Sequence, residues 1–246
     1  MRKYYFLMLL LMAMAAGATH AQVNEFDTNK DGVVNSADVV AIYNYILTGD
    51  QQQFYLSCPD SNHPHAIDLG LPSGTKWACC NVGASAPEGY GGYYAWGETE
   101  EKSVYDYTSY KYYTGTNETS GTWISLGSDI AGTGYDVAHV KWGGRWHMPT
   151  RDQCKEFVNN TSSKWTTKNG INGREFTGPN GGTIFMPAAG YRWGSDLSSR
   201  GSGGDYWSST LDESYPDDAY ILGFSSSGVS TGSGSRNYGE SVRPVR

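Results

Sequence analysis

The amino-acid sequence predicts an α+β domain of short strands, two helices and long loops, preceded by an EF-hand-like loop and helix. Three observations lead there. Glycine fills 32 of 246 positions, nearly twice the roughly 7% of an average chain. Tyrosine (19) and tryptophan (8) are abundant while charged residues make up only 17%, which suits short strands with aromatic side chains and many turns, not a helical bundle. Finally, one acidic, glycine-containing segment near the start has the ligand spacing of a calcium loop.

Taken in order, Arg2-Lys3 precedes an apolar run from Tyr4 to Ala18, and Thr19-His20-Ala21 offers a small-x-small cleavage site before Gln22. That is the anatomy of a secretory signal peptide over residues 1–21, and the run is shorter than the ~20 residues of a spanning helix. The chain is therefore expected to be exported, secreted or held at the cell surface, with no transmembrane segment. The whole chain carries 18 basic and 25 acidic side chains; without Arg2 and Lys3 the balance is 16 against 25, a net of −9. A nucleic-acid binder needs a clustered basic face, so that class is excluded.

Residues 22–49 hold the calcium loop. Asp27, Asn29, Asp31, Asn35 and Asp38 stand at loop positions 1, 3, 5, 9 and 12, Gly32 at the sharp turn, and the Val33 carbonyl at position 7. Ca²⁺ takes six to eight oxygens, and this spacing wraps one ion. Val39, Ile42, Tyr43 and Ile46 then follow helical periodicity up to Gly49. With Asp at position 12 and Val-Asn-Ser-Ala-Asp-Val leading into the helix, the segment resembles one repeat of a type I dockerin. The resemblance implies attachment to a cohesin-like scaffold protein, with Ser36 and Ala37 matching the pair that selects the partner. Residues 50–64, with Gln51 to Gln53, Pro59 and Pro64, read as a linker.

Four cysteines lie at 58, 79, 80 and 154. In an oxidising compartment they can be disulfides or buried thiols. Cys79 and Cys80 are neighbours, so a bond between them is strained and each needs Cys58 or Cys154. Cys58, His63, His65 and Cys79 are zinc-type donors, badly spaced for the usual structural pairs.

Residues 65–246 read as one domain. Predicted strands are 66–69, 75–82, 93–96, 174–177, 183–186, 206–210, 219–224 and 241–245. Asn169-Gly170, Asn172-Gly173 and Asn180-Gly181 supply hairpin-type turns. Asp136 to Trp142 reads as one short helix. Thr150-x-x-Gln153 forms a capping box that opens a second helix through about Asn160. Residues 99–135, polar and rich in Tyr, Gly, Ser and Thr, read as a long insertion.

Several motifs of this domain resemble the Fibrobacter succinogenes major paralogous (FISUMP) family. They are Asp68-Leu-Gly-Leu-Pro-Ser-Gly-Thr-Lys-Trp77, Tyr93-Tyr-Ala-Trp-Gly-Glu98, Trp142-Gly-Gly-Arg-Trp-His-Met-Pro-Thr150, Pro187-Ala-Ala-Gly-Tyr-Arg192, Tyr206-Trp-Ser-Ser-Thr210 and Ser241-Val-Arg-Pro-Val-Arg246. The resemblance implies a C-type-lectin-like α+β fold with an irregular, loop-rich ligand face, and no particular activity. It also implies that the ligand face lies between the Trp-Ser-Ser strand and the terminal Val-Arg motif. Tyr206, Ser208, Asp212, Tyr215, Asp218, Tyr220, Arg236, Asn237 and Tyr238 are its candidate contacts, of the residue types that paratopes favour. Trp77, Trp96, Trp146 and Trp207, inside fixed motifs, are expected in the core; Trp165 or Trp193 can stack on a sugar ring.

Catalytic readings find little support. The acidic cluster Asp212, Glu213, Asp217 and Asp218 is what acidic turns routinely show. No Gly-x-Ser-x-Gly elbow, phosphate loop or His-Glu-x-x-His helix occurs. The sequence therefore points to an exported, non-catalytic protein that pairs a calcium-binding, dockerin-like module with a domain recognising a glycan or protein. The alternative is an accessory component of a polysaccharide-degrading assembly. The calcium reading carries a direct test: in titration calorimetry the double variant Asp27→Ala, Asp31→Ala shows no Ca²⁺ binding, and wild-type affinity in that variant contradicts the loop assignment.

Overall fold

Backbone hydrogen bonding in a chain with so many turns must be closed locally, and the Asn-Gly pairs do this first. The computed structural model describes residues 64–246; the signal peptide, the calcium loop with its ligands, Ser36, Ala37, Cys58 and His63 lie outside them. Asn169 and Gly170 both take positive φ (49° and 81°), the geometry of a two-residue hairpin turn whose twist matches the flanking strands. They join β3 (Ser162–Lys168) to β4 (Ile171–Thr177). Gly178 to Gly182 form the next turn, in which Asn180 Oδ1 accepts from Gly182 N (2.8 Å), leading to β5 (Thr183–Pro187).

The other strands are β1 (Ala66–Asp68), β2 (Lys76–Ala78), β6 (Tyr191–Trp193), β7 (Asp196–Ser198), β8 (Gly203–Leu211), β9 (Asp218–Ser225) and β10 (Val229–Ser235). They form four small sheets, β1-β2, β3-β4-β5, β6-β7 and β10-β9-β8, and every strand pair is antiparallel. The helices are α1 (Val137–Trp142) and α2 (Arg151–Asn160). Asp136 caps α1 by accepting from Ala138 N and His139 N, and the capping box of Thr150 and Gln153 opens α2. No helix of the described residues is long and apolar enough to cross a membrane.

This architecture corrects the expected α+β, C-type-lectin-like fold. Two short helices accompany ten strands in four sheets, so the described chain is mostly β. The discrepancy has a local cause. β3 and β10 are sheet edges made largely of Ser, Thr, Gly and Lys, and an edge strand needs no apolar alternation because ladder bonds to one neighbour suffice. Conversely, 93–96 and 241–245 make isolated bridges rather than strands, among them Tyr94 with Glu240 and Val245 with both Trp77 and His147. Asn172-Gly173 lies inside β4 and is not a turn.

The core has three parts. Tyr206, Leu222 and Phe224 on one face of the β8–β9 pair join Ile67, Trp77, Phe157 and Phe176. Trp207 and Ala219 on the opposite face join Val82, Trp96, Met148 and Val242. Tyr93, Tyr105, Tyr110 and Tyr113 form the third cluster, which makes 99–135 a built substructure rather than a bare loop. Trp77, Trp96, Trp146 and Trp207 are all buried. Cys79, Cys80 and Cys154 are buried and make no disulfide with one another.

Buried guanidiniums fasten the irregular segments. Arg243, fully buried, donates to Asn81 Oδ1 (2.8 Å), Ala78 O (3.0 Å) and Phe185 O (3.0 Å). It thereby ties the C-terminus to β2 and β5. Replacing it leaves buried acceptors unmade, at about 1–3 kcal/mol each. Arg243→Met is expected to lower the urea unfolding free energy of the full chain by at least about 3 kcal/mol; a loss under about 1 kcal/mol contradicts the clamp.

Candidate acidic and aromatic binding face

The face begins at the β6–β7 hairpin. Arg192 turns inward, its guanidinium 5.1 Å from the centre of the buried Tyr93 ring, so Tyr191 and Trp193, one position either side, turn outward. Arg192 also pairs with Gly239 in both directions, Arg192 N to Gly239 O (2.7 Å) and Gly239 N to Arg192 O (2.9 Å). Glycine is required at 239 because a Cβ there would lie 2.5 Å from the Tyr105 ring. This antiparallel register sets Trp193 opposite Tyr238 and Tyr191 opposite Glu240. Tyr191 and Tyr238 stack, with ring centres 5.8 Å apart and planes 9° from parallel, and Trp193 is 54% exposed. The result is a half-open aromatic wall.

Beside it, β8, β9 and β10 carry a trough of about 430 Å³. Asp205, Gly223 and Ser230 share one row of the sheet, Trp207, Ile221 and Gly232 the next. Gly223 and Gly232 present no side chain, Asp205 Oδ1 lies 3.0 Å from the point a Gly223 Cβ would occupy, and Ser225 and Ser227 stand at one end. Ile221 and Tyr238 pack on the same buried cluster, which joins trough and wall.

Glu240 sits where the two meet. Its side chain is 2% exposed, Oε2 has no hydrogen-bond partner, and Oε1 lies 3.1 Å from the point a Gly234 Cβ would occupy. Burial raises its carboxyl well above the ordinary range, and the negative charges of Asp205 and Asp218 push the same way. Burial also raises Asp205. Asp218 is raised by burial and by Asp217, against the pull of a hydrogen bond from Ser233.

The residues expected at the ligand face divide. Tyr206, Ser208, Asp212, Arg236 and Asn237 are buried. Tyr206 donates to Pro187 O. Arg236 donates to Tyr110 Oη, Pro216 O and Ile124 O beneath the Trp96 ring. Both are structural. Tyr220, adjacent to Ile221 in β9 and so on the opposite sheet face, lies under the Arg151 guanidinium, 3.8 Å away. Tyr215 is exposed in the β8–β9 connection. Of the expected set, Tyr238 belongs to the wall and Asp218 to its electrostatic surroundings. Of the two tryptophans considered for sugar stacking, Trp165 packs against the core and Trp193 is the open one. Sequence reasoning passed over Tyr191, Asp205 and Glu240; the alternation Tyr191-x-Trp193 was the available signal.

Cys80 and Cys154 offer no activated nucleophile. Cys80 is raised by its hydrogen bond to Cys79 and by burial, and burial pushes Cys154 up to about 12. His65 Nδ1 lies 3.5 Å from Cys79 Sγ. Among the described residues no group of three or more His, Cys, Asp or Glu side chains could hold a metal ion.

The domain is thus a mostly β scaffold with an acidic trough beside an aromatic wall. A family model described as a domain of unknown function (DUF8237) matches residues 153–245, a span that includes β3 to β10 and both parts of this face. No curated protein and no solved structure matches the chain.

The buried acid gives a pH signature. Its folded pKa exceeds the unfolded value of about 4.3, so it costs nothing below that pH and destabilises increasingly as pH rises toward neutrality. Glu240→Gln removes this dependence. In calorimetric melts the variant is expected to match wild type near pH 4.5 and to melt higher near pH 8; parallel curves contradict a buried, unpaired acid.

Proposed function

We propose that this is an exported, non-catalytic binding protein whose β domain holds a saccharide against the wall of Tyr191, Trp193 and Tyr238. The observation that carries the reading is the half-buried Tyr191–Tyr238 stack with the exposed Trp193 beside it. An aromatic face offers apolar area at low entropic cost and a polar edge for hydroxyl groups. The neighbouring trough adds carboxylate and serine oxygens that can fix the orientation of a polyhydroxylated ligand. The thiols of Cys80 and Cys154 are held protonated, by the hydrogen bond to Cys79 and by burial, which favours binding over covalent catalysis at those two.

The N-terminal segment completes the proposal. The signal peptide directs export, and the dockerin-like repeat binds Ca²⁺ through Asp27, Asn29, Asp31, Val33, Asn35 and Asp38. It can attach the domain to a cohesin-like scaffold through a surface that includes Ser36 and Ala37.

On a broad glycan array the full chain is expected to bind one sugar class saturably. Trp193→Ala should weaken that binding at least about tenfold, or 1.4 kcal/mol, without lowering the melting temperature, and Tyr238→Ala should weaken it as much while also costing stability, because Tyr238 packs on the core. A blank array, or variants that bind like wild type, contradicts the assignment.

A further inference from the structure

Asp205 gives the trough a carboxylate that no described residue of its lining neutralises. Asp205 is half-buried on β8, and among the described residues it accepts no hydrogen bond and enters no ion pair. None of the side chains lining the trough is Lys, Arg or His. Elsewhere in the domain, by contrast, Glu98 is paired with Lys102 (2.9 Å) and Glu175 with Lys164 (2.8 Å). Half-buried charge is ordinarily compensated, and here no cation among the described residues lining the trough supplies that compensation. Close to Asp205, the almost fully buried Glu240 also keeps Oε2 without a partner.

We infer that the trough receives a protonated primary amine carried on a sugar ring, with Asp205 as its counter-charge. This rests on the saccharide reading of the wall and names its ligand class, an amino sugar with a free ammonium group. An ammonium is compact and donates three hydrogen bonds. Asp205 and the Ser230 hydroxyl line the trough to receive them, and charge-assisted bonds of this kind are the strong ones. Asp205 Oδ1 covers Gly223, 3.0 Å from where its Cβ would stand, while Gly232 leaves room beside it for a flat ring and Ile221 provides apolar surface. An N-acetylated sugar has lost both the charge and two of the donors, so the trough discriminates between the two forms.

Titration calorimetry on the full chain tests this with a β-1,4-linked glucosamine tetramer, its N-acetylated counterpart and tetralysine. The glucosamine tetramer is expected to bind at least about tenfold more tightly than the acetylated one. Asp205→Asn should abolish that preference. Gly232→Leu should block binding by filling the trough, with folding intact, since a Cβ at 232 meets nothing closer than Ile221 at 3.9 Å. Equal binding of both tetramers by wild type and Asp205→Asn overturns the inference and leaves the saccharide reading standing. Failure of both tetramers overturns it as well, and the glycan array then decides whether the saccharide reading falls too. Asp205-dependent binding of tetralysine alone shows a peptide amine and also overturns it.

Discussion

Two buried guanidiniums hold the described chain together. A domain with two short helices and many turns leaves backbone carbonyls outside regular ladders, and a buried carbonyl without a donor is costly. Arg243 and Arg236 supply donors in a fixed planar fork, and each reaches parts of the chain distant in sequence. Arg243 joins residues 78, 81 and 185. Arg236 draws 110, 124 and 216 together within a cage of Trp96, Tyr110 and Trp123 rings. Phenol and indole groups extend the same principle: Tyr93 donates to Ala189 O, Tyr105 to Tyr93 O, Tyr110 to Trp96 O and Trp207 to Tyr94 O. The abundance of tyrosine and tryptophan is thus explained by hydrogen bonding as much as by apolar area.

The aromatic wall inherits its geometry from this clamp. Arg236 fixes the turn after β10, from which Tyr238 and Glu240 follow, and the two-way pairing of Gly239 with Arg192 locks the hairpin bearing Tyr191 and Trp193 against it. The aromatic wall is therefore built from two segments that are each anchored independently, so its rings are preorganised. On the other side, glycines in β9 and β10 open the trough by omission of side chains, and Ile221 remains as its apolar floor. A preorganised site loses less entropy when a ligand settles.

Parts of this were legible in the sequence. The capping box at Thr150 and Gln153 announces α2, the Asn169-Gly170 pair announces the β3–β4 hairpin, and the motif tryptophans fall in the core. Each is a local signal in which residue type dictates a dihedral angle or burial. The overall class was not legible, because β3 and β10 are edge strands whose serines, threonines and glycines look like loop. Nor was the interior placement of Tyr206, Ser208, Arg236 and Asn237. A polar side chain reads as surface until its partners are known, and the partners of Arg236 lie up to 126 residues away. The trough is harder still: Asp205, Gly223 and Gly232 meet only through strand register.

The central claim is that a saccharide rests on the wall of Tyr191, Trp193 and Tyr238. Intermolecular nuclear Overhauser effects between an array-selected oligosaccharide and the full chain measure this directly. Cross-peaks are expected from sugar ring protons to the ring protons of these three residues. Cross-peaks confined to other aromatic residues, such as Tyr215 or Tyr135, contradict it.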